Sequence, residues 1–175
     1  MAENPNILAA IPQIESQVLV STNNNTFGGI VRGVIWSDLA VRTPLWDSLS
    51  SDVITRFREK EVILIGKTMA RNLNLTEGDS LTLLSPKGKN TAFGTLPSRK
   101  VFKIGGIFDV GMHEYDSSFV FMPLASAQDF FAMPNKVSGV ELYVKTPSKA
   151  RVIKEELSKN LEDHLAIFDW MDRNK

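Results

Sequence analysis

From Ile14 to Thr22 the chain reads IESQVLVST, with apolar and polar positions trading places and β-branched residues among them. That is the mark of a half-buried strand. Phe27 to Trp36 (FGGIVRGVIW) reads as its partner, and Asn23 to Asn25 supply the turn, so a hairpin is expected. Gly28 and Gly29 allow a bulge or a close backbone approach there. Ahead of the hairpin, Asn4 and Pro5 stand where a cap and first turn belong. Pro12 stands where the helix would stop, which predicts a short helix over NPNILAA. Asp38 to Phe57 is irregular and partly helical in pattern, interrupted by Pro44.

The middle of the chain is richer in strand signals. EVILIG reads as a buried strand ending at Gly66, and KTMARNLNL as a helix with Met69, Ala70 and Leu73 on one face. TEGDS is a turn, in which Gly78 supplies a positive φ and Asp79 bonds its own backbone. SLTLLS and KVFKIGGIFDV are strands, MHEYDSS a turn, and SFVFMP a strand stopped by Pro123. LASAQDFFAM follows as an amphipathic helix, then VSGVELYVKT as a strand. PSKARVIKEELSKNLED is a helix with Pro147 near its start, and LAIFDW a last short strand or an extended exit. The fold class is α+β. The order is an αββ start, a β-rich middle with one short helix, and an αβα end. This suggests two lobes from a discontinuous chain: residues 1–36 and 123–175 against an inserted 37–122. One mixed α+β domain is the alternative.

Composition changes this picture little. The 175 residues are 43% hydrophobic and 23% charged, enough for one domain or two small lobes. A formal net charge of +0 lacks the basic balance of a nucleic-acid binder. The absence of cysteine removes disulfides, thiol catalysis and Cys-ligated metals. No stretch approaches the roughly 18 apolar residues of a membrane span, and MAENPNIL does not read as a signal peptide. The chain is therefore expected to be either cytosolic or a piece of a larger protein.

The candidate chemistry is thin. VILIGKTMA resembles the end of a P-loop, but the position five before Gly66 is Glu61 and strand occupies the space of a phosphate cradle. His113, Glu114 and Asp116 cluster in MHEYDSS, yet the only other histidine is His164 and no second cluster completes a metal shell. Glu155 with Glu156 and Glu162 with Asp163 interleave with Arg151, Lys154 and Lys159, which is a solvated helix face rather than an acid/base pair. No G-x-S-x-G elbow is present. No enzyme, cofactor or metal site is expected.

One segment stands apart. SPKGKNTAFGTLPSRK connects two strands that a few residues would join. Ser80 to Phe108 contains no acidic residue, while Lys87, Lys89, Arg99, Lys100 and Lys103 fall within it. Phe93 and Leu96 sit in a stretch too polar and too rich in Gly and Pro to be core. Two readings stand. In one, a projecting hairpin offers an aromatic anchor with cationic rims to a partner's groove. In the other, Phe93 folds back onto the body and the lysines serve solubility.

IGKTMARNLNLTEGDSLTLLSPKGKNTAFGTLPSRKVFKIGGIFDVGMHEYDSSFVFMPLASAQDFF, followed by VSGVELYVKTPSKA, resembles the periplasmic domain of the LolC/LolE family. These are membrane subunits of the lipoprotein-releasing ABC transporter. GGIVRGV and DWMDRN also match, so the resemblance runs from about Ile14 to Asn174, most specifically in TAFGTLP and YDSSFVFMPL. It implies a soluble loop at the periplasmic face of the inner membrane, between two spans of a longer protein. Partners would be a second membrane subunit, a LolD-type ATPase that hydrolyses ATP separately, and a lipoprotein substrate. It implies a Porter-like lobe from both chain ends and a Sabre-like lobe in the middle. It also implies a further segment lacking here, which would leave an edge strand exposed. In LolC-type members the corresponding hairpin is a hook that recruits the lipoprotein chaperone LolA. Here the hook would be Pro86, Lys87, Gly88, Lys89, Asn90, Thr91, Ala92, Phe93, Gly94, Thr95, Leu96 and Pro97. A supporting pad would match Thr82, Arg99 and Lys100, of which only Lys100 keeps a like-charged residue. LolE-type members lack that hook and are thought to handle the lipoprotein itself; YDSSFVFMPL and VSG lean towards them, and a hybrid subunit that keeps the hook is the third option.

Overall fold

The computed structural model describes residues 4–22, 25–59, 62–91, 94–159, 161, 165–169 and 171–172, with the backbone alone at 43, 87–91 and 95. The chain forms two compact units, 12–140 and 1–11 with 141–175. The boundaries expected at 36/37 and 122/123 both fall inside the larger unit. Seven strands hydrogen-bond in the order β2-β6-β3-β5-β4-β1-β7, and β2 also pairs with β1. They are β1 (Ile7–Ser21), β2 (Thr26–Val34), β3 (Val62–Gly66), β4 (Ser80–Thr91), β5 (Gly94–Phe108), β6 (Phe119–Pro123) and β7 (Gly139–Val144).

In the larger unit this order closes on itself. β1 and β2 form the expected hairpin, from Ile14 opposite Gly33 to Ser21 opposite Thr26. Thr22 N–H donates to Asn25 C=O at its end; Asn23 and Asn24 of the expected turn lie outside the described residues. β2 runs parallel to β6, β6 antiparallel to β3, β3 parallel to β5, β5 antiparallel to β4, and β4 antiparallel to β1. Six strands thus make a ring of pairings. Side-chain alternation then gives each strand an inner and an outer row. Val18, Val20, Val31, Ile63, Ile65, Leu81, Leu83, Ile104, Val120 and Met122 form the buried inner cluster. Two helices add to it: α3 (Lys67–Leu73) through Met69, Ala70 and Leu73, and α5 (Leu124–Phe130) through Ala127 and Phe130. The shared face expected for Met69, Ala70 and Leu73 is the buried face of α3.

A second core covers part of the outside. Val34, Val62, Leu64, Phe108, Phe119 and Phe121 point outward and pack against Leu39, Leu45, Val53 and Phe57. Those four come from a 3₁₀ turn at Trp36–Val41 and from α1 (Thr43–Asp47) and α2 (Ser51–Arg58). Pro44, expected to interrupt this region, instead lies in the first turn of α1, where its missing N–H costs nothing. Gly66 ends β3 where a Cβ would stand 2.3 Å from the backbone oxygen of Asp116, so only glycine permits the strand-to-helix turn. That requirement accounts for Gly66 without a phosphate, and Lys67 pairs with Asp109.

Two expectations are overturned. NPNILAA is not a helix: Ile7 begins the fifteen-residue strand β1. Asn6 C=O accepts Lys145 N–H, and long-range pairing of this kind outweighs the local Asn-Pro cap signal. MHEYDSS is not a plain turn, because His113–Ser118 form the short helix α4. Its Asp116 is buried and accepts Val110 N–H at 3.0 Å, so the carboxylate anchors a loop. In the smaller unit, α6 (Ala150–Ser158) buries Ile153 and follows a Pro147–Lys149 turn. Arg151 pairs with Glu155 at 3.8 Å and Lys154 with Asp172, so these charges belong to a solvated, paired face; Glu162, Asp163 and His164 lie outside the described residues. Residues 165–169 run without regular structure.

The turn into β4 is held by Asp79. Its carboxylate accepts from Thr76 N–H at 2.7 Å and from the Thr76 hydroxyl at 2.9 Å, while Gly78 adopts φ +93°. The backbone bond from Thr76, then its hydroxyl, holds the Asp79 carboxyl below its ordinary value. A depressed folded pKa means the turn is supported above the unfolded value of about 3.9. The support is lost as pH falls through the lower folded value. Carboxyl NMR titration is expected to place the Asp79 midpoint below the ordinary aspartate value of about 3.9. Thr76→Val should raise it; an unmoved midpoint would show that the hydroxyl bond is absent in solution.

Candidate partner-binding ribbon

The unusual connection between the β4 and β5 cores is itself strand. Ser80 to Ser85 pair with Lys103 to Ser98, and Lys89, Asn90 and Thr91 pair with Leu96, Thr95 and Gly94. The register shifts between Ser85 and Lys89. Pro86, Lys87 and Gly88 thus face the single residue Pro97, a bulge placed where both prolines remove N–H donors. Gly94 adopts φ +114°, which a side chain would strain. The pairing of β4 with β1 stops at Leu84, and that of β5 with β3 begins at Lys103. From Ser85 to Ser98 the two strands therefore pair with each other alone among the described registers, as a projecting ribbon.

The structure places the expected hook on this ribbon and the expected pad at its base. Pro86, Gly94, Leu96 and Pro97 are exposed, Leu96 by 60%. Ala92 and Phe93 lie outside the described residues, and of Lys87, Gly88, Lys89, Asn90, Thr91 and Thr95 the backbone alone is described. The pad positions divide between two faces. Arg99 stands opposite Leu84 and Thr82 opposite Val101, so these four share the outer face. Lys100 stands opposite buried Leu83 and lies over the Phe102 ring, its Nζ 5.2 Å from the centroid, on the inner face. Val101, outside the expected pad, is 58% exposed beside Arg99 and Thr82. A valine alternating with cations was the only sequence signal for it.

Charge sharpens the picture. The acids bounding the acid-free span are Asp79 and Asp109. Asp79 is bonded to Thr76, and Asp109 accepts from Lys67 Nζ at 2.7 Å, a bond that first of all holds its pKa low. Neither neutralises Arg99 or Lys103. No group of three or more His, Cys, Asp and Glu that could hold a metal occurs among the described residues.

Over residues 1–162 the sequence matches the MacB-like periplasmic core domain. The chain belongs to that family. Relatives with curated names extend the match. The lipoprotein-releasing system transmembrane protein LolC of Xylella fastidiosa (strain Temecula1) is 27% identical over 172 residues, covering 98% of this chain and 41% of that protein. LolC of Neisseria meningitidis serogroup B is 25% identical, covering 97% of this chain and 41% of that protein. LolE of Haemophilus influenzae is 22% identical, covering 99% and 42%. The chain thus spans about two fifths of these relatives, and the expected LolC/LolE resemblance holds over nearly all of it. Two solved structures share the fold. The extracellular domain of the noncanonic ABC-type transporter YknZ from Gram-positive bacteria has a TM-score of 0.56 at 14% identity, covering 91% of this chain and 76% of that one. The periplasmic region of MacB from Actinobacillus actinomycetemcomitans has a TM-score of 0.52 at 12% identity, covering 91% and 68%. No helix among the described residues is long and apolar enough to cross a membrane.

Proposed function

We propose that the chain is the periplasmic domain of a LolC/LolE-type subunit of a lipoprotein-releasing transporter, and that the 86–97 ribbon recruits a LolA-type lipoprotein carrier. The observation that carries this is the ribbon: from Ser85 to Ser98 the two strands pair with each other alone among the described registers, with Leu96 exposed and no acid from Ser80 to Phe108. The domain performs no chemistry in this reading; a LolD-type ATPase and a partner membrane subunit would act with the full-length protein. The Porter-like and Sabre-like division belongs to the same proposal.

The physical roles divide accordingly. Phe93 would be the anchor, an aromatic ring burying roughly 150–250 Å². The bulge and its prolines limit the freedom lost on binding. Arg99, Lys100 and Lys103 would steer an acidic carrier rim, acting on the rate of association more than on affinity. Calorimetric titration of the chain with a LolA-type carrier is expected to give saturable binding, with association slowing as salt rises. Absence of binding by the intact chain would overturn the reading.

A further inference from the structure

The ribbon leaves the barrel where its two strands part from their other neighbours. Among the described registers, β4 pairs with β1 up to Leu84, and β5 pairs with β3 from Lys103 onward. Phe102 is the residue of β5 next to that limit, opposite buried Leu81. Strand alternation puts it on the inner face with Lys100, which stands opposite Leu83.

On that face Phe102 meets α5. Its ring and that of Phe130 lie with centroids 5.5 Å apart and planes at 83°, an edge-to-face contact. Lys100 Nζ lies over the same ring, so the cation and α5 both engage it. Phe130 is buried and in turn meets Phe131 edge-on, at 4.9 Å and 69°.

The end of α5 is itself held tightly. Ala132 N–H donates to Asp129 C=O at 3.3 Å, and Met133 N–H to Gln128 C=O at 2.8 Å. These two bonds close the helix with Ala132 at φ +53°, a left-handed conformation usually left to glycine. Such strain persists where the surroundings over-determine the backbone. Phe131 and Met133, on either side of Ala132, pack into the inner cluster, and Gln128 Nε2 donates to Lys136 C=O at 3.0 Å. Phe102 therefore rests on a fixed seat.

We infer that Phe102, seated on Phe130, is a positioning residue that sets the direction in which the 86–97 ribbon leaves the barrel. The geometry stands by itself; its consequence for binding rests on the carrier reading above. Phe102 acts from the ribbon's base and does not touch the carrier. Its contribution is pre-organisation, which lowers the ordering cost of binding. A ribbon that points correctly about a tenth of the time binds about tenfold more weakly.

The chain lacks cysteine, so Leu96→Cys and Met112→Cys, both at exposed positions of the larger unit, give a clean pair for nitroxide labels. Pulsed dipolar spectroscopy of the 175-residue chain is expected to give one narrow distance distribution. Phe102→Leu and Phe102→Met keep apolar bulk but lose the ring, and should broaden it. Phe102→Tyr keeps the ring and should keep the width. Val101→Ala, at the next position and on the outer face, should leave the width unchanged too. Without labels, the two ringless variants should associate with a LolA-type carrier about tenfold more slowly. Their dissociation rate and salt dependence should stay as in the parent, because the tip and the steering charges are intact. A broad distribution in the parent, or an unbroadened one in whichever ringless variant keeps the parent's thermal transition, would overturn the assignment. So would broadening with unchanged association, or loss of folding in both variants, which would make Phe102 a core residue. If the parent binds no carrier, the carrier reading fails, and the distance comparison alone decides whether Phe102 aims the ribbon.

Discussion

Glu15→Ala is expected to destabilise the larger unit by about 3–5 kcal/mol, the cost of removing one partner of a buried ion pair. Arg32 is 2% exposed although it lies in the outer row of β2. It stands directly opposite Glu15 in the β1–β2 hairpin, and its Nε and Nη2 both donate to Glu15 Oε2. Nη1 donates to the Tyr115 hydroxyl at 3.2 Å, and the guanidinium lies 4.9 Å from the Phe119 ring centroid. The cation is thus packed against α4 and β6 and paired with a carboxylate supplied by β1. Three elements of the ring meet at this side chain. At roughly 2–4 °C per kcal/mol for a chain of this size, the thermal transition should fall by about 6–20 °C. Glu15→Gln should fall less, because an amide oxygen still accepts a bond. The double variant Glu15→Leu with Arg32→Met should recover most of the loss, since replacing both charges by apolar groups removes the uncompensated one. A transition unmoved by Glu15→Ala would show that the guanidinium reaches water in solution.

Most of the fold was legible because most of its signals are local. Alternation marked β1, β2 and β4, the run VILI marked β3, and the spacing of Met69, Ala70 and Leu73 marked α3. The failures have a common cause. Asn4, Pro5 and Pro12 fit a helix locally, but the strand there is fixed by partners over a hundred residues away, as Asn6 to Lys145 shows. Pro12, which cannot donate to a ladder, falls where β1 passes from one unit to the other, a position a strand tolerates. Ring closure through β1–β4 and β2–β6 was likewise out of reach, because both contacts depend on register between distant segments. For the binding segment, charge and prolines were readable, whereas its strand character was not. Gly88, Gly94, Pro86 and Pro97 read as loop, and only the bulge opposite Pro97 reconciles them with pairing. The division of Arg99 and Lys100 between two faces follows from strand alternation once the register is known.

Cutting the ribbon back to its base should abolish carrier binding and leave the domain folded. Ser85 and Ser98 pair directly, so an Asn-Gly turn can join them in place of residues 86–97. Asn-Gly is the favoured two-residue hairpin turn because both positions accept positive φ. Ser85 is buried, and every removed residue whose burial is described, namely Pro86, Gly94, Leu96 and Pro97, is exposed. The thermal transition should therefore stay where it is, while titration with a LolA-type carrier should give no measurable heat. Within the intact ribbon, Phe93→Glu should weaken binding roughly thirtyfold or more, the effect of losing an aromatic hot spot worth about 2 kcal/mol. Arg99→Ala and Lys103→Ala should instead slow association and flatten its salt dependence, because exposed charges outside a desolvated contact act through steering. The two classes separate anchor from steering. If the shortened ribbon captures the carrier at full strength, the contact lies elsewhere on the domain. If Phe93→Glu binds as the parent does while the shortened ribbon does not, the anchor is Leu96 or the ribbon backbone. The decisive comparison is thus between the two variants, because one removes the length of the ribbon and the other only the Phe93 ring.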